Sequence, residues 1–81
     1  MLLEIITPDK KIFEGEVESA KFPGSSGFFQ VLNNHAPLIS SLEKGMVSYR
    51  TINGEFEVLV DGGVVEVLNN KITVLAESAT V

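Results

Sequence analysis

Eighty-one residues leave room for one hydrophobic core, so the sequence predicts a single domain over residues 1–81. Six basic residues against eleven acidic ones give a net charge of −5, which argues against nucleic acid or an anionic membrane surface as a partner. The chain has no cysteine, which excludes disulfides, thiolate nucleophiles and cysteine-bound metals. No apolar run approaches the ~18 residues of a membrane-spanning helix and no signal peptide is visible, so we expect a soluble, cytoplasmic chain.

The first part of the chain predicts short strands. Leu2–Ile6 is an apolar strand that ends at a proline-containing turn. The stretch Ile12–Phe22 predicts a strand pair or one bent strand. Val17 and Ala20 both look buried but have opposite parity along the chain, which predicts a β-bulge near Ser19.

The second part predicts a regular meander. Apolar and polar residues alternate with a period of two, which indicates strands with one buried face. Turn signals at Asn53-Gly54, Asp61-Gly62-Gly63 and Asn69-Asn70 divide Met46–Glu77 into four antiparallel strands. The Asn53-Gly54 pair predicts a type I′ hairpin turn, in which both central residues have positive φ. The fold class that follows is all-β, a flattened antiparallel sandwich or barrel.

The segment between these two parts, residues 22–39, is the most informative one. It begins with a glycine-rich turn at Pro23–Gly27, which lacks the Lys-Ser/Thr ending and the following helix of a phosphate-binding loop. Phe28 and Phe29 come next, and adjacent strand residues point to opposite faces, so at least one of them is expected outside the core. This turn is therefore either a tight structural loop or a tip that displays an aromatic side chain to a partner.

His35 is the only histidine and lies in the following turn. A catalytic set could be assembled from Ser25 or Ser26, His35 and Asp61, but no nucleophile elbow surrounds the serines. A metal site lacks a second histidine or a cysteine. The sequence favours a turn histidine that is hydrogen-bonded to the backbone, or one that faces a partner.

Two further side-chain sets allow a structural and a functional reading. Glu14, Glu16 and Glu18 share a face if their strand is regular, and we interpret that face as solvated rather than cation-binding. Leu59, Leu68 and Leu75 lie at positions of otherwise polar parity. They form an outward apolar patch if their strands are neighbours, and such a patch favours a partner surface.

Several motifs occur in a fixed order over almost the whole chain. They are Leu3–Pro8, Ile12–Gly15, Pro23–Gly27, His35-Ala36-Pro37-Leu38-Ile39, Leu42 with Gly45, Gly62–Val67 and Ile72–Glu77. No single motif is specific, but the ordered set resembles the epsilon subunit of the rotary F-type ATP synthase. In that family the domain is a flattened antiparallel sandwich of about ten short strands.

The resemblance implies a non-catalytic central-stalk subunit that needs no cofactor and has no active site of its own. Such a subunit couples the gamma subunit to the c-ring and transmits torque in proton- or sodium-driven ATP synthesis. It would be a peripheral component on the cytoplasmic side of the cell membrane, without membrane insertion and without homo-oligomerisation in the complex. By residue-by-residue match, the gamma-facing set is Thr7, His35, Ala36, Pro37 and Ser40, and the c-ring-facing set is Ser26, Gly27, Phe28 and Phe29.

The chain also departs from the family pattern. The family often has acidic residues at the positions of Ser26 and Phe28, glycine at Gln30, and Pro-Gly at Asn33-Asn34. We expect Asn34 to adopt the left-handed conformation in place of that glycine. The resemblance does not extend to the family's C-terminal helical hairpin, which carries inhibition of ATP hydrolysis, so it implies nothing about inhibition. The alternative function is a free-standing β-barrel module that binds a small ligand or peptide in an apolar pocket between its sheets.

Overall fold

Every ordered element of the chain is a β-strand. The computed structural model describes residues 1–81 and contains no helix that could cross a membrane. The strands are β1 (Leu2–Ile6), β2 (Lys11–Glu16), β3 (Ser19–Gly24), β4 (Gly27–Leu32), β5 (Leu38–Thr51), β6 (Gly54–Leu68), β7 (Lys71–Ala76) and β8 (Ala79–Thr80). The prediction of an all-β fold is confirmed.

The strands form one sheet that folds over into two layers. Its order is β2-β1-β7-β6-β5-β3-β4, and β8 pairs with β6. β5 and β6 are 14 and 15 residues long, and each runs through both layers. The second half of β6 pairs with β7, whereas its first half pairs with β8. The structure therefore has eight continuous strands rather than ten, because the two long strands contribute a segment to each layer.

One pairing differs from the antiparallel prediction. β1 and β7 are parallel neighbours, with Leu3 beside Ile72 and Ile5 beside Val74. Parallel strands need a long connection, and here nearly the whole chain separates the two. Period-two patterns carry no information about such a distant partner.

The core lies between the two layers and contains 17 buried apolar residues. The alternating positions predicted to face inward, from Val58 and Val60 to Val74 and Ala76, are buried. Phe56 has the same parity but is 45% exposed, because it lies at the beginning of β6 and stacks on Tyr49 near the sandwich margin. The side-chain alternation thus continues beyond the region that the second layer covers.

The stretch Ile12–Phe22 contains two strands that do not pair with each other. β2 pairs with β1, whereas β3 pairs with β4 and β5. Val17 and Ala20 are both buried as expected, but the chain leaves the strand conformation between β2 and β3. That break, rather than a bulge, explains why Val17 and Ala20 are both buried despite their opposite parity. The register irregularity of β3 lies between Lys21 and Gly24, so the predicted bulge near Ser19 is wrong.

The turn at Asn53-Gly54 has a different geometry from the predicted type I′ turn. Asn53 does not have positive φ, and Thr51 pairs with Gly54, so the central residues of that turn are Ile52 and Asn53. Gly54 follows the turn with φ of 124°, as in a turn closed by a glycine bulge. The type I′ prediction is therefore wrong at Asn53-Gly54. Two consecutive positive φ values, 52° and 60°, occur instead at Asn69-Asn70.

The predicted turn at Asp61-Gly62-Gly63 is a bend inside β6. Gly62 and Gly63 have φ of 81° and 137°, yet Asp61 pairs with Lys44 and Gly63 with Leu42 in one unbroken register. Pairing with the equally long β5 carries the strand through the bend. The second part of the chain therefore forms a meander of three strands, β5, β6 and β7, rather than of four.

Candidate functional site

The turn between β3 and β4 forms one compact tip. Gly24 pairs with Gly27 across the central residues Ser25 and Ser26, and Gly27 has φ of 118°, which favours glycine. The Ser25 amide donates to the Ser41 carbonyl at 3.2 Å, and the two serine hydroxyls lie 2.5 Å apart. These bonds fix the tip against β5, so it is a defined surface.

The two phenylalanines of this tip have different environments. Phe28 is 65% exposed, and the Lys21 ammonium lies 5.8 Å from its ring centroid, within the range of a cation–π contact. Phe29 is half-buried and packs on Phe22 with a centroid distance of 5.5 Å. A Cβ on Gly24 would come within 2.8 Å of the Phe29 ring, which explains the glycine there. The tip thus displays Phe28 and uses Phe29 as its anchor.

A second exposed segment, residues 33–37, lies at the other end of β4. Asn34 has φ of 63°, which confirms the expected left-handed conformation. Its amide donates to Asn70 Oδ1 at 2.8 Å, and Asn70 Nδ2 donates to Asn33 Oδ1 at 2.9 Å. The His35 amide donates to the Leu32 carbonyl at 3.1 Å. Asn70, in the β6–β7 turn, therefore holds this segment in place.

The His35 ring is bonded to the adjacent backbone. Nδ1 lies 2.7 Å from the Ala36 carbonyl, which can only accept, so Nδ1 is the donor of this bond. Ser25 and Ser26 lie at the opposite end of β4, about 17 Å along the strand from His35. The structure thus does not bring the serines and His35 together, and a Ser-His-Asp set is not formed.

The structure separates the gamma-facing set into two locations. His35, Ala36 and Pro37 are contiguous and exposed, and Ser40 follows on β5, where it is half-exposed. Thr7 is nearly buried in the β1–β2 turn, where its hydroxyl donates to the Lys10 carbonyl at 3.1 Å. The Leu2 amide, at the other end of β1, donates to the carbonyl of Asn70, the residue that holds the His35 segment. Thr7 is five residues further along the chain and therefore lies about 16 Å from that segment. The four residues expected to face the c-ring, by contrast, all lie on the one tip.

The glutamate set does not share a strand face. Glu14 and Glu16 belong to β2, but Glu18 lies beyond its end, and the Glu18 amide donates to the Arg50 carbonyl. The Lys11 ammonium lies 2.7 Å from Glu14 and 3.1 Å from Glu4. Its hydrogen bond and its charge lower the pKa of the Glu14 carboxyl. The hydrogen bonds that Lys11 donates to Glu14 and then to Glu4 raise the pKa of Lys11. Ion pairing with lysine accounts for this face.

The three leucines are exposed as predicted but do not form one patch. Leu59 pairs with Met46 in one layer, whereas Leu75 pairs with Val64 in the other, and Leu68 pairs with Lys71. The patch expected from their parity is wrong because β6 passes from one layer to the other between Leu59 and Leu68.

A different apolar row does exist, and sequence reasoning missed it. Ile6, Leu75 and Val64 are adjacent across β1, β7 and β6, next to a surface groove formed with Thr7, Pro8, Ala76 and Glu77. The parallel β1–β7 pairing creates this row, and only the polar-parity position of Leu75 hinted at it. The three cavities of the structure are surface hollows, and none is lined by the fully buried valines of the core.

Comparison with known proteins agrees with this architecture. The family model described as the beta-sandwich domain of the ATP synthase delta/epsilon chain matches residues 1–81. The ATP synthase epsilon chain of Pelotomaculum thermopropionicum is 47% identical over 77 residues, which is 95% of this chain and 58% of that protein. That of Maridesulfovibrio salexigens is 43% identical over 79 residues, 98% of this chain and 56% of that protein. The chain thus spans less than two thirds of the length of these relatives.

Two solved structures share the fold. A chain in the Tetrahymena thermophila mitochondrial ATP synthase structure of the central stalk and c-ring is similar with a TM-score of 0.84 at 16% identity, covering 98% of this chain and 64% of that one. A chain in the Euglena gracilis mitochondrial ATP synthase has a TM-score of 0.89 at 20% identity, covering 96% and 51%. At these identities the likeness shows the fold, and the family rests on the sequence matches. The chain belongs to the family of ATP synthase delta/epsilon chain beta-sandwich domains.

Proposed function

We propose that this chain is a non-catalytic central-stalk component that couples the gamma subunit to the c-ring of an ATP synthase. The observation that carries the proposal is the match of all 81 residues to the delta/epsilon chain beta-sandwich domain, together with relatives named as epsilon chains. The role is mechanical, so it needs contact surfaces and stiffness rather than a nucleophile or a cofactor. The component would lie at the cytoplasmic side of the membrane, peripheral to the ring.

The geometry supports a coupling role because two exposed surfaces lie at opposite ends of β4. The c-ring surface is the tip Ser26–Phe29, and the gamma surface contains His35, Ala36 and Pro37. The strand between them is paired to β3 along its whole length. A push on one surface is therefore transmitted by a hydrogen-bonded ladder, with no flexible linker between the two.

Thr7 and Ser40 complete the proposed gamma surface. Ser40 continues the His35 segment along β5 and is half-exposed. Thr7 lies at the other end of β1, beside the apolar row of Ile6 and Leu75. If both contact gamma, that subunit extends along the outer face of β1 and β7. The exposed apolar side chains of that face would suit such a broad contact.

The alternative, a free-standing module for a small ligand or peptide, has less support. It requires an apolar pocket between the sheets, and the space between the layers is filled by core side chains. The groove beside Leu75 is open to solvent and suits a protein surface better than an enclosed ligand. We therefore favour the coupling role.

Reconstitution with gamma and c-ring from the same organism tests the proposal. The wild-type chain should form a stoichiometric complex with gamma that survives gel filtration and retains the c-ring. A monomer that binds neither partner would contradict the coupling role and would lead to ligand screening.

Two single variants distinguish the proposed surfaces. Phe28→Asp should change retention of the c-ring at least about fivefold, downward if the contact is apolar and upward if the ring loops are basic, and leave gamma binding unchanged. His35→Glu should weaken gamma binding to a similar degree and leave c-ring retention unchanged. Both side chains are exposed, so unfolding by urea should be nearly unaffected in each. Equal effects of either variant on both partners would disprove the assignment of the two ends.

A further inference from the structure

The two strands that end the sheet order have opposite chemical character. β2 carries Lys11, Glu14 and Glu16, and such charges discourage pairing with another chain. β4 has the sequence Gly-Phe-Phe-Gln-Val-Leu, with no charge and no proline. In a chain with a net charge of −5, β4 is an uncharged, unprotected edge.

The pairing of β4 with β3 leaves alternate backbone groups of β4 free. Gly24 and Gly27 flank a two-residue turn and form its hydrogen-bonded pair, so Phe29 and Val31 also bond to β3. The amide groups of Phe28, Gln30 and Leu32 then point away from β3. Pro23 opposite Phe28 fits this alternation, because proline has no amide hydrogen to exchange. β4 therefore presents a row of free amide groups and carbonyls, except that the Leu32 carbonyl already accepts from the His35 amide.

The side chains beside these free groups are also exposed. Phe28 and Leu32 are 65% and 53% exposed, and Gln30 between them is exposed too. The first residues of β5 form another uncharged margin, but it is short, and the bond from the Ser25 amide to the Ser41 carbonyl interrupts it. β4 is thus the longest free edge without charge.

We propose that β4 pairs antiparallel with β4 of a second copy of this chain, about a two-fold axis at Gln30. In this arrangement Gln30 lies opposite Gln30, and Phe28 of each copy lies opposite Leu32 of the other. The apolar side chains then cover each other on one face, and the free backbone groups become paired. The pairing places no like charges opposite each other, whereas a two-fold axis at Glu14, the corresponding fourth residue of β2, would place two glutamates opposite each other.

The small size of the contact predicts weak association. Six residues per copy fall well short of the ~20–30 residues on each side of a standard interface, so we expect a dissociation constant on the order of 0.1–1 mM. Self-association is then a property of the free chain at high concentration. Phe28 belongs both to this edge and to the c-ring tip, so the dimer and the ring contact exclude each other. This mutual exclusion, unlike the dimer itself, rests on the proposed function.

Sedimentation of the free chain tests the pairing without any other subunit. Between about 10 µM and 1 mM the average mass should rise from 8.8 kDa toward twice that value. Gln30→Lys puts like charges opposite each other at the axis and should weaken association at least about fivefold. Thr80→Lys adds the same charge on the exposed β8 and should leave it unchanged. A monomer at all concentrations, or equal loss in both variants, would overturn the proposal.

Amide exchange distinguishes this edge from any other contact. In the associated state the amide hydrogens of Phe28, Gln30 and Leu32 should gain protection with concentration, at least about fivefold. Those of Phe29 and Val31 are already bonded to β3 and should not change. Concentration-dependent protection on β2 or β5 instead would show a different interface and refute the β4 pairing.

Discussion

Asn70 shows how one side chain can order a surface to which it does not belong. Its backbone adopts φ of 60° in the β6–β7 turn, and its amide group bonds to both Asn33 and Asn34. A glycine would keep that backbone conformation without strain but would lose both bonds. The position of the His35 segment therefore depends on a residue more than thirty positions away in sequence.

We expect Asn70→Gly to lower the free energy of unfolding by about 1–2 kcal/mol, because it removes two hydrogen bonds and leaves the Asn34 amide without a protein partner. Asn69→Gly is the matched control, since Asn69 also has positive φ, 52°, but its side chain makes no hydrogen bond. Urea unfolding measures both variants. Equal stability of the two would show that the side-chain bonds of Asn70 contribute nothing.

The Lys11–Glu14 pair predicts a pH dependence. The nearby ammonium lowers the pKa of Glu14 below its ordinary value of 4.5. A carboxyl with a lower pKa in the folded state stabilises above its unfolded pKa and loses that contribution as the pH falls through the folded pKa. Glu14→Gln should therefore destabilise slightly at pH 7, and the difference from wild type should vanish in acid.

Titration of the Glu14 carboxyl by NMR measures this shift directly. Lys11→Met should raise the Glu14 pKa toward its ordinary value, because the hydrogen bond from Lys11 and its charge are both removed. The Lys11 side behaves in the opposite sense. Its pKa is raised above 10.5, so its contribution is present below that pH and is lost as the pH rises through the folded pKa. An unshifted Glu14 in the wild type would contradict the ion pair.

At the scale of the element, the bend in β6 depends on Gly63 more than on Gly62. A Cβ on Gly63 would collide with the Leu75 carbonyl of β7, which is backbone and cannot move independently. A Cβ on Gly62 would come close only to the Glu77 carboxylate, at 3.1 Å, which can rotate away, and would make an ordinary contact with the Leu42 carbonyl at 3.8 Å. Both residues have positive φ, so the difference between them is steric.

Gly63→Ala should therefore lower the free energy of unfolding by at least about 3 kcal/mol, and Gly62→Ala by about 1–2 kcal/mol. Chemical denaturation of the two variants side by side checks the order. If the two losses are equal, the approach of β7 to Gly63 is not what demands glycine.

The elements also show what the sequence could predict. Strand identity and the buried face of each strand followed from period-two alternation, which is a local property, as at Val65 and Val67. The predicted turn at Gly62-Gly63 was wrong because pairing with β5 overrides a local turn signal. Similarly, the two-residue pattern Asn53-Gly54 does not reveal whether glycine lies inside the turn or just after it.

The same distinction between local and long-range features applies to the candidate surfaces. The tip Ser26–Phe29 is contiguous in sequence, and its exposure could be anticipated from two adjacent aromatic residues. The grouping of Ile6 with Leu75 could not, because it depends on a parallel pairing across most of the chain. Surfaces built within one hairpin are predictable from sequence, whereas those built across distant strands are not.

At the scale of the whole molecule, the two long strands make the layers interdependent. Val65 lies on the segment of β6 in one layer, and Val47 lies on the segment of β5 in the other. Both side chains are fully buried in the same core. Neither layer can separate without breaking the ladder between β5 and β6.

We therefore expect one cooperative unfolding transition. Val47→Ala and Val65→Ala should each lower stability by about 2 kcal/mol. In both variants the near-ultraviolet signal of Tyr49 and the far-ultraviolet strand signal should change at the same denaturant concentration. A Val65→Ala variant that loses strand signal before Tyr49 responds would show that the layers unfold separately.

The parallel pairing of β1 and β7 has a consequence for synthesis on the ribosome. β1 emerges first, but its neighbour β7 ends at Ala76, so the sheet cannot close around β1 until about seventy further residues have been made. At about 5–20 residues per second that takes roughly 4–14 s. Meanwhile the β1–β2 hairpin has no partner sheet, and an isolated hairpin is only marginally stable in water. The nascent chain thus carries the apolar face of β1 exposed for seconds, a period in which a chaperone that binds apolar segments would find its target.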